Sequence, residues 1–465
     1  MKQKIVVDPV TRIEGHAELD IITDDAGVVE EARFSVKSFR GFEKFLEGAP
    51  MELLPPTTAR ICGICYTSHV LASCKALENA LNIEITPEAR KLREILHLGN
   101  FIESHALSIA ALSLPDLLFH KNGPHERNLA FLLKQREFLV RRAMKLRQAG
   151  SLITRFAGKR QVHPISPVIG GVLQPLNTEE RDEIATMMEG AKDTVSAMWQ
   201  LIWEAFHDYE DIAMLGETRS AFLSMKGREG VELYDADLAI MSENGELIQE
   251  FPPSRYLDFV EEEERDFSYM KFPVLKNGTK FRVGPLARLN ICRKFPTPNS
   301  QWMMNAITSE YALPLQNSML YHPARVAETM YAIERAEQLL NDEDLLSDKV
   351  KPEVCKAKEG RGIGIVEAPR GTLVHIYDID SHGYAKSIAL YVATQHNNFA
   401  MNDALTNTAK RIITGPSPEE TTLNKLEMII RAYDPCLSCA THTIGQREFR
   451  INLRKQDGSL IKRWE

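Results

Sequence analysis

The chain has 465 residues, 44% hydrophobic and 26% charged, a globular composition with ample apolar material for a large core. Its formal net charge of -8 leaves no basic field to attract nucleic acid or an anionic membrane surface, so soluble partners are expected. The first nine residues, MKQKIVVDP, carry no apolar segment with a small-residue cleavage site, and no uninterrupted apolar run reaches the roughly 18 residues that span a bilayer, so a cytoplasmic location with no membrane span is expected.

In chain order, residues 1–45 alternate in strand fashion. The runs Ile5 to Val7, His16 to Ile22 and Val28 to Val36, the last two joined by a turn at Asp24 to Gly27, predict an antiparallel meander. From Pro87 the spacing becomes helical, with Leu92, Ile95, Leu96, Phe101, Ile102 and Leu107 on one face. Further helical tracts at about 126–149, 179–208, 322–341 and 418–433 predict a central bundle, with 55–208 helical throughout. Between 209 and 290 the periodicity is poor and acidic residues such as Glu261 to Glu264 cluster, which reads as a surface excursion of short strands and loops without chemistry. Residues 291–442 combine helices with a hairpin, Gly362 to Tyr377 against Ser387 to Thr394, turning at Ser381 to Gly383. The expected fold class is mainly α with α+β lobes: a central helix bundle flanked by an N-terminal antiparallel meander and a C-terminal β hairpin segment.

Two C-x-x-C pairs of identical spacing, Cys62/Cys65 and Cys436/Cys439, stand near opposite ends of this chain. Four such thiolates close around one soft metal centre, and because roughly 370 residues separate the pairs, the whole fold must assemble the site. The other three of the seven cysteines, Cys74, Cys292 and Cys355, read as core packing, and the odd total in a cytoplasmic chain argues against disulfides. His69, four residues past Cys65 on the helix expected to follow, is placed to donate to a metal-bound sulfur, although a lone histidine is as often structural. The sulfurs alone fit zinc, a four-iron cluster, or a catalytic nickel or iron centre. Glu14 and Glu43, carboxylates in apolar stretches, and Arg370, a cation at a strand end, are groups that a proton-handling redox site uses and a structural zinc does not.

Six blocks extend this pattern: DPVTRIEGH (Asp8 to His16), RGFE (Arg40 to Glu43), RICGIC (Arg60 to Cys65), Gly158 through His163 and Pro164 to Gly171, EAPRG (Glu367 to Gly371) and DPCLSCATH (Asp434 to His442). In order and spacing the chain resembles, over nearly its whole length, the large subunit of nickel-iron hydrogenases. YVATQHNN (Tyr391 to Asn398) and the DPCLSCATH ending look most similar to the soluble cytoplasmic branch that couples hydrogen to NAD(P), ferredoxin or heterodisulfide. The alternatives are the large subunit of an F420-reducing hydrogenase and the non-catalytic quinone-site subunit of respiratory complex I, which shares the fold but lacks the four cysteines.

The resemblance implies reversible heterolytic cleavage of H2 into protons and electrons. It makes Cys62 and Cys436 terminal nickel thiolates, and Cys65 and Cys439 bridges from nickel to an iron holding one carbon monoxide and two cyanides. Arg370 and Thr394 would donate to the cyanides, Leu373 would wall the carbon monoxide, and Asp434 would steady Arg370, which also acts as a base above the open site. Glu14 would take the proton from Cys436. Glu43, the backbone carbonyl of Leu390 and His442 match a site for magnesium or another divalent ion. An aspartate that some relatives carry above the open site is replaced here by Ser108. The resemblance further implies an iron-sulfur small subunit docked on the face that buries Cys62 to His69, additional diaphorase or electron-transfer subunits, and a maturation endopeptidase that removes residues 443–465 after His442, leaving a single multi-lobed catalytic body of residues 1–442.

Overall fold

Strand Gly360–Ala368 begins with glycine at every second position, and alternation along a strand puts Gly360, Gly362 and Gly364 on one face. Helix Tyr66–Leu81, which starts directly after Cys65, turns Ala72, Ala76 and Ala80 toward that face. A Cβ on Gly360, Gly362 or Gly364 would stand 2.3, 1.9 or 2.1 Å from the carbonyl oxygens of Ala80, Ala76 and Ala72, so helix and strand meet backbone to backbone. This contact joins the first cysteine pair to the sheet that carries Arg370. The computed structural model describes residues 3–350, 356–441, 451–454 and 460–464; Cys355 and His442 lie outside them.

That sheet has three antiparallel strands in chain order, Gly360–Ala368, Gly371–Ile379 and Ala385–Tyr391. The stretch 362–377 is therefore two strands where the sequence suggested one. The chain reverses at Pro369 and Arg370 because Pro369 has no amide to offer a ladder, and Gly371, at φ 139°, adopts a backbone that side chains rarely tolerate. The second reversal, near Ser381 to Gly383, falls where the sequence suggested, closed by the Asp380 amide donating to Tyr384 O at 2.9 Å.

The N-terminal meander consists of Gln3–Val7, Glu18–Thr23 and Val29–Ser35, antiparallel in order. Its last strand is an edge, and helix Asn398–Ile412 covers it: the amides of Ala32 and Phe34 donate to Thr406 Oγ1 and Asn402 Oδ1 at 3.0 and 2.8 Å. Helix Pro87–Leu107 is capped by Thr86, whose hydroxyl accepts from the Ala89 amide, and it buries five of its six predicted contact residues, with Leu107 half-buried where the helix widens into a π turn at Ser108–Ser113. The helical run from Pro87 to Phe119 is long and apolar enough to cross a membrane by length and composition, but 78% of its most apolar window is buried inside the protein, as in a core helix. Helices Glu137–Ala157, Ala191–Asp208, Tyr321–Leu340 and Glu420–Tyr433 complete the bundle.

Residues 209–290 differ from the surface excursion that the sequence suggested. Strand Ala221–Lys226 lies inside a four-stranded sheet ordered Phe281–Arg282, Ala221–Lys226, Asp237–Met241, Leu247–Phe251. Ala221, Phe222, Leu223, Ser224 and Met225 are all fully buried, and the sheet packs on Ile365, Val374 and Ile376 behind the Arg370 turn. A strand covered on both faces shows no alternation, which is why periodicity missed it. The acidic run does lie on a more open strand pair, Val260–Arg265 with Ser268–Leu275. Near the C-terminus, Ile451–Arg454 and Leu460–Trp464 pair antiparallel.

The glycine face makes a direct prediction. Gly364→Ala puts a methyl 2.1 Å from the Ala72 carbonyl and is expected to cost about 3 kcal/mol by forced separation of helix and strand, read as a lowered Tm. Gly123→Ala, where a Cβ meets nothing within 4 Å, should change stability by less than about 0.5 kcal/mol.

Candidate metal centre

The fold brings both cysteine pairs to one point. Cys62 and Cys65 sit on the turn before helix Tyr66–Leu81, and Cys436 opens the single helical turn Leu437–Ala440 that follows helix Glu420–Tyr433. The four Sγ atoms all lie within 4.8 Å of one another, with Cys62 3.4 Å from Cys436, Cys65 3.1 Å from Cys439, and Cys436 3.1 Å from Cys439. All four residues are at most 5% exposed.

Two backbone staples hold the far ends of the chain here. Glu14 forms a parallel bridge with Cys436, its carbonyl accepting from the Leu437 amide at 3.2 Å. Arg40 donates from its guanidinium to the carbonyls of Ile61 and Ser438, the residues preceding Cys62 and Cys439, and its amide bonds Thr441 O. Sequence reasoning gave Arg40 no role; its place in RGFE was the only signal.

Four thiols packed this closely cannot all ionise unaided. Hydrogen bonds from Cys436, Cys439 and Cys65 hold Cys62 well below the ordinary thiol range, aided by the Ile64 amide at 3.2 Å from its sulfur, whereas burial pushes Cys439 well above it. One negative charge is thus stable and further ones need a cation, so the set fits a soft divalent metal that is loaded with loss of protons. The walls agree with this. The cavity beside the sulfurs is lined by the apolar Ala368, Leu373, Val392 and Ala393, with Arg370 and Thr394 as isolated polar points and His69 at its edge.

Arg370 stands on the turn between two strands, Nε donating to Asp434 O at 2.6 Å and Nη2 paired with Asp434 Oδ1 at 3.2 Å, while among the described residues Nη1 reaches only Ser104 Oγ at 3.5 Å. Burial opposes its charge, but Asp434 and the cysteine sulfurs outweigh burial and hold the guanidinium well above its ordinary pKa. Nη1 is thereby left as its least engaged nitrogen, the one that a donor or a base facing the cavity would use. Asp434 reaches the guanidinium from a left-handed backbone, φ 52° and ψ 55°, which ends helix Glu420–Tyr433 and which aspartate tolerates better than most residues. Ser108 is buried in the π turn, its hydroxyl without a partner among the described residues.

The turn itself is anchored by a residue the sequence did not single out. Arg288 spends all five N–H groups: Nε and Nη2 on Glu328 at 2.5 and 2.7 Å, Nη1 on Glu367 Oε2 at 2.6 Å, and one each on the carbonyls of Ala368 and Pro369 at 3.2 Å. Burial works against the Glu328 carboxylate, and Arg288 with His105 outweighs it. Burial pushes Glu367 up.

His69 Nε2 lies 3.3 Å from Cys439 Sγ, within hydrogen-bond reach, and its Nδ1 lies 3.0 Å from His375 Nε2. His375 was missed, although Leu373, His375 and Tyr377 share one face of strand Gly371–Ile379 and period-two spacing from Leu373 could have found it. Thr394 Oγ1 accepts from the Cys436 amide at 2.9 Å. Glu14 is half-buried; its Oε2 is 3.2 Å from Cys436 Sγ and accepts from the Ser438 amide at 2.9 Å, and the Ser438 hydroxyl donates to Oε1. Glu43 and Leu390 also meet, through the Leu390 amide donating to Glu43 Oε1 at 2.7 Å.

A buried quartet of thiols close enough to share one metal ion, with polar groups and a carboxylate around it, is the candidate centre. The sequence profile described as Nickel-dependent hydrogenase matches residues 40–118 and 233–442, and one described as HoxL-like matches residues 4–39. A vhc F420-non-reducing hydrogenase chain of Methanococcus voltae is 36% identical over 470 residues, covering 99% of each chain. The beta chain of the NAD-reducing hydrogenase HoxS of Cupriavidus necator is 36% identical over 484 residues with the same coverage. A solved NAD+-reducing NiFe-hydrogenase in the H2-reduced state superposes with a TM-score of 0.91 at 34% identity, over 95% of this chain and 99% of that one. The chain belongs to the nickel-dependent hydrogenase family. It is the catalytic large subunit of an oxidoreductase acting on H2, which sets aside the complex I-like and purely structural zinc readings.

The buried histidines around the centre predict a pH response. Burial lowers His97, which bonds Glu367 O at 2.8 Å, and His105 to about 4. Their folded pKa lies below the unfolded value near 6.5, so the unfolded chain binds more protons between those limits. Stability is complete above pH 6.5 and is lost as pH falls toward 4. His97→Gln, which keeps an amide donor toward Glu367, should reduce the slope of unfolding free energy in that window by about 1.4 kcal/mol per pH unit, measured by denaturant titration.

Proposed function

We propose that Cys62 and Cys436 are terminal nickel ligands and that Cys65 and Cys439 bridge nickel to an iron carrying one carbon monoxide and two cyanides. The observation that carries this reading is the convergence of four buried sulfurs, two from each C-x-x-C unit, within 4.8 Å of one another. When bound, the two metals supply an electron-rich centre at which H2 is polarised and split into protons and electrons.

Each side chain then has a defined task. Arg370 presents its least engaged nitrogen, Nη1, and Thr394 its hydroxyl, both toward the cavity as donors for anionic cyanide ligands. Leu373 offers only hydrocarbon, which suits carbon monoxide, a poor hydrogen-bond acceptor. Asp434 fixes the guanidinium through a carbonyl and a carboxylate oxygen. A proton held at Cys436 Sγ passes to Glu14 Oε2 at 3.2 Å, and Ser438 orients that carboxylate through its amide and hydroxyl. His69 donates to the bridging Cys439.

Glu43, Leu390 and His442 bind a hard divalent ion, magnesium in the simplest case, and the proximity of Glu43 to Leu390 supports this. A maturation endopeptidase removes residues 443–465 after the nickel is loaded. An iron-sulfur small subunit docks on the face that buries Cys62 to His69: Tyr66 OH lies 3.1 Å from Gln161 O, and the loop that follows Gln161 exposes Val162 and Ile165 at 41% and 45%. The whole is a soluble cytoplasmic complex with diaphorase or electron-transfer subunits and NAD(P), ferredoxin or heterodisulfide as acceptor; relatives named as NAD-reducing and as F420-non-reducing support an acceptor other than F420. The alpha chain of a coenzyme F420 hydrogenase, at 30% identity over 449 residues, keeps F420 as the second reading for the acceptor.

Two experiments test the assignment. One chelator-washed native preparation should contain nickel, iron and a hard divalent ion, show infrared bands of metal-bound carbon monoxide and cyanide, and have an intact mass ending at His442. Missing diatomic bands sink the nickel-iron centre, an inventory of nickel and iron alone removes the divalent site, and a retained tail on nickel-loaded protein removes the processing step. Glu14→Gln should retain both metals and the bands yet lose H2/D+ exchange by about 10²- to 10⁴-fold, and near-normal exchange would eliminate Glu14 as the proton acceptor.

A further inference from the structure

Glu14 and Cys436 stand 422 positions apart in the chain, so packing and not covalent connection sets the 3.2 Å between carboxylate and sulfur. The backbone before Glu14 is tightly turned. Arg12 adopts φ 55°, a left-handed conformation that arginine takes at a cost, and Gly15 adopts φ 88°. A Cβ on Gly15 would stand 2.7 Å from Leu437 Cβ, so this segment is pressed against the turn that carries Cys436. Such a segment needs a hold outside itself.

That hold is a buried cluster of charges. Asp116, 2% exposed on helix Leu114–Phe119, gives one carboxylate oxygen to each of two arginines: Oδ1 to Arg12 Nη2 at 2.5 Å and Oδ2 to Arg431 Nη1 at 2.6 Å. Arg12 precedes Glu14 by two residues, and Arg431 lies in the last turn of helix Glu420–Tyr433, five residues before Cys436. Arg431 also reaches the N-terminal segment directly, its Nε donating to Thr11 O and its Nη2 to Thr11 Oγ1, both at 2.9 Å. Glu427 Oε1 accepts from the Thr11 amide at 2.8 Å, and Arg12 Nη1 donates to Leu112 O at 3.0 Å.

We propose that Asp116 is a positioning residue for proton transfer between Cys436 and Glu14: by joining Arg12 to Arg431 it fixes the segment that carries Glu14 against the turn that carries Cys436. The inference rests on the proposed role of Glu14 as the proton acceptor.

Electrostatics explains why a carboxylate stands here. Two guanidiniums brought together away from water repel, and an anion between them turns that repulsion into a joint. The fork of each arginine leaves further N–H groups for the carbonyls of Thr11 and Leu112. An amide in place of the carboxylate sets an NH2 group against one guanidinium, donor facing donor, so that one arginine must leave. The gap between Glu14 Oε2 and Cys436 Sγ is then left to the bonds that Glu14 itself makes with the cysteine turn.

The test uses the metal-loaded native complex and compares Asp116→Asn, Glu14→Gln, the two combined, and Arg12→Lys. Three quantities are read: the infrared bands of the diatomic ligands, H2/D+ exchange, and hydrogen exchange of the Leu437 and Ser438 amides, which Glu14 holds. Asp116→Asn should keep the unsubstituted bands. Its Leu437 and Ser438 amides should exchange about 10-fold faster, while those of strand Gly360–Ala368 keep their protection. Its H2/D+ exchange should fall about 10²-fold, the cost of misplacing reacting groups by about 1 Å. In the Glu14→Gln background the same substitution should add no further loss, because its effect runs through the missing carboxylate.

The proposal is overturned if the combined variant loses the same factor again, if Asp116→Asn retains H2/D+ exchange that Glu14→Gln loses, or if the Ser438 and strand amides loosen together. Should Asp116→Asn fail to fold, Arg12→Lys carries the test, since lysine has one nitrogen in place of the two that hold Asp116 and Leu112 O. Unsubstituted Ser438 protection and H2/D+ exchange in that variant overturn the proposal alone. Near-normal H2/D+ exchange in Glu14→Gln removes the acceptor role and this inference with it; a Ser438 amide still loosened by Asp116→Asn marks that failure as distinct from a clasp that holds nothing.

Discussion

The backbone contact between helix Tyr66–Leu81 and strand Gly360–Ala368 is the constraint on which the rest depends. Side chains are absent at three alternate positions of the strand and reduced to methyls at three facing positions of the helix. The result is a rigid frame in which a helix terminus bearing two sulfurs and a strand turn bearing a guanidinium cannot move independently. Flexible loops could not hold four soft ligands and a cation at fixed separations, because each freed residue restores conformational entropy that the site would have to overcome.

Around that frame the protein arranges charge with economy. Three arginines lie within a few residues of the chemistry and each is bound differently. Arg370 is gripped on one edge by Asp434 and left open on the other; Arg288 has every hydrogen committed and serves only to shape the turn; Arg40 spans two carbonyls near the surface. The planar five-donor fork makes such division of labour feasible, and lysine offers no substitute for it. The buried triad of Glu328, Arg288 and Glu367 therefore acts through geometry, since removing ions from water offsets most of what their attraction contributes to stability.

Much of this was legible in the sequence. The two C-x-x-C pairs, the meander and the helices announced themselves through spacing, and the ordered motifs brought Glu14, His69, Arg370, Thr394 and Asp434 to the correct neighbourhood. What escaped had identifiable physical causes. Strand Ala221–Lys226 is buried on both faces and so lost its alternation, and the break at Pro369 was hidden inside an apolar run that otherwise read as one strand. Arg288, His375 and Tyr377 act by contacts 79, 306 and 304 residues away in the chain, and no local pattern encodes a partner at such distance.

The wide separation of the two cysteine pairs also orders events in time. At a synthesis rate of about 5–20 residues per second, the ribosome delivers Cys436 some 20–75 s after Cys65, and Glu14 waits still longer for the strand bridge it forms with that second pair. No four-sulfur pocket exists on the nascent chain. A metal ion that needs all four sulfurs can therefore be gripped only once residue 439 has left the ribosome.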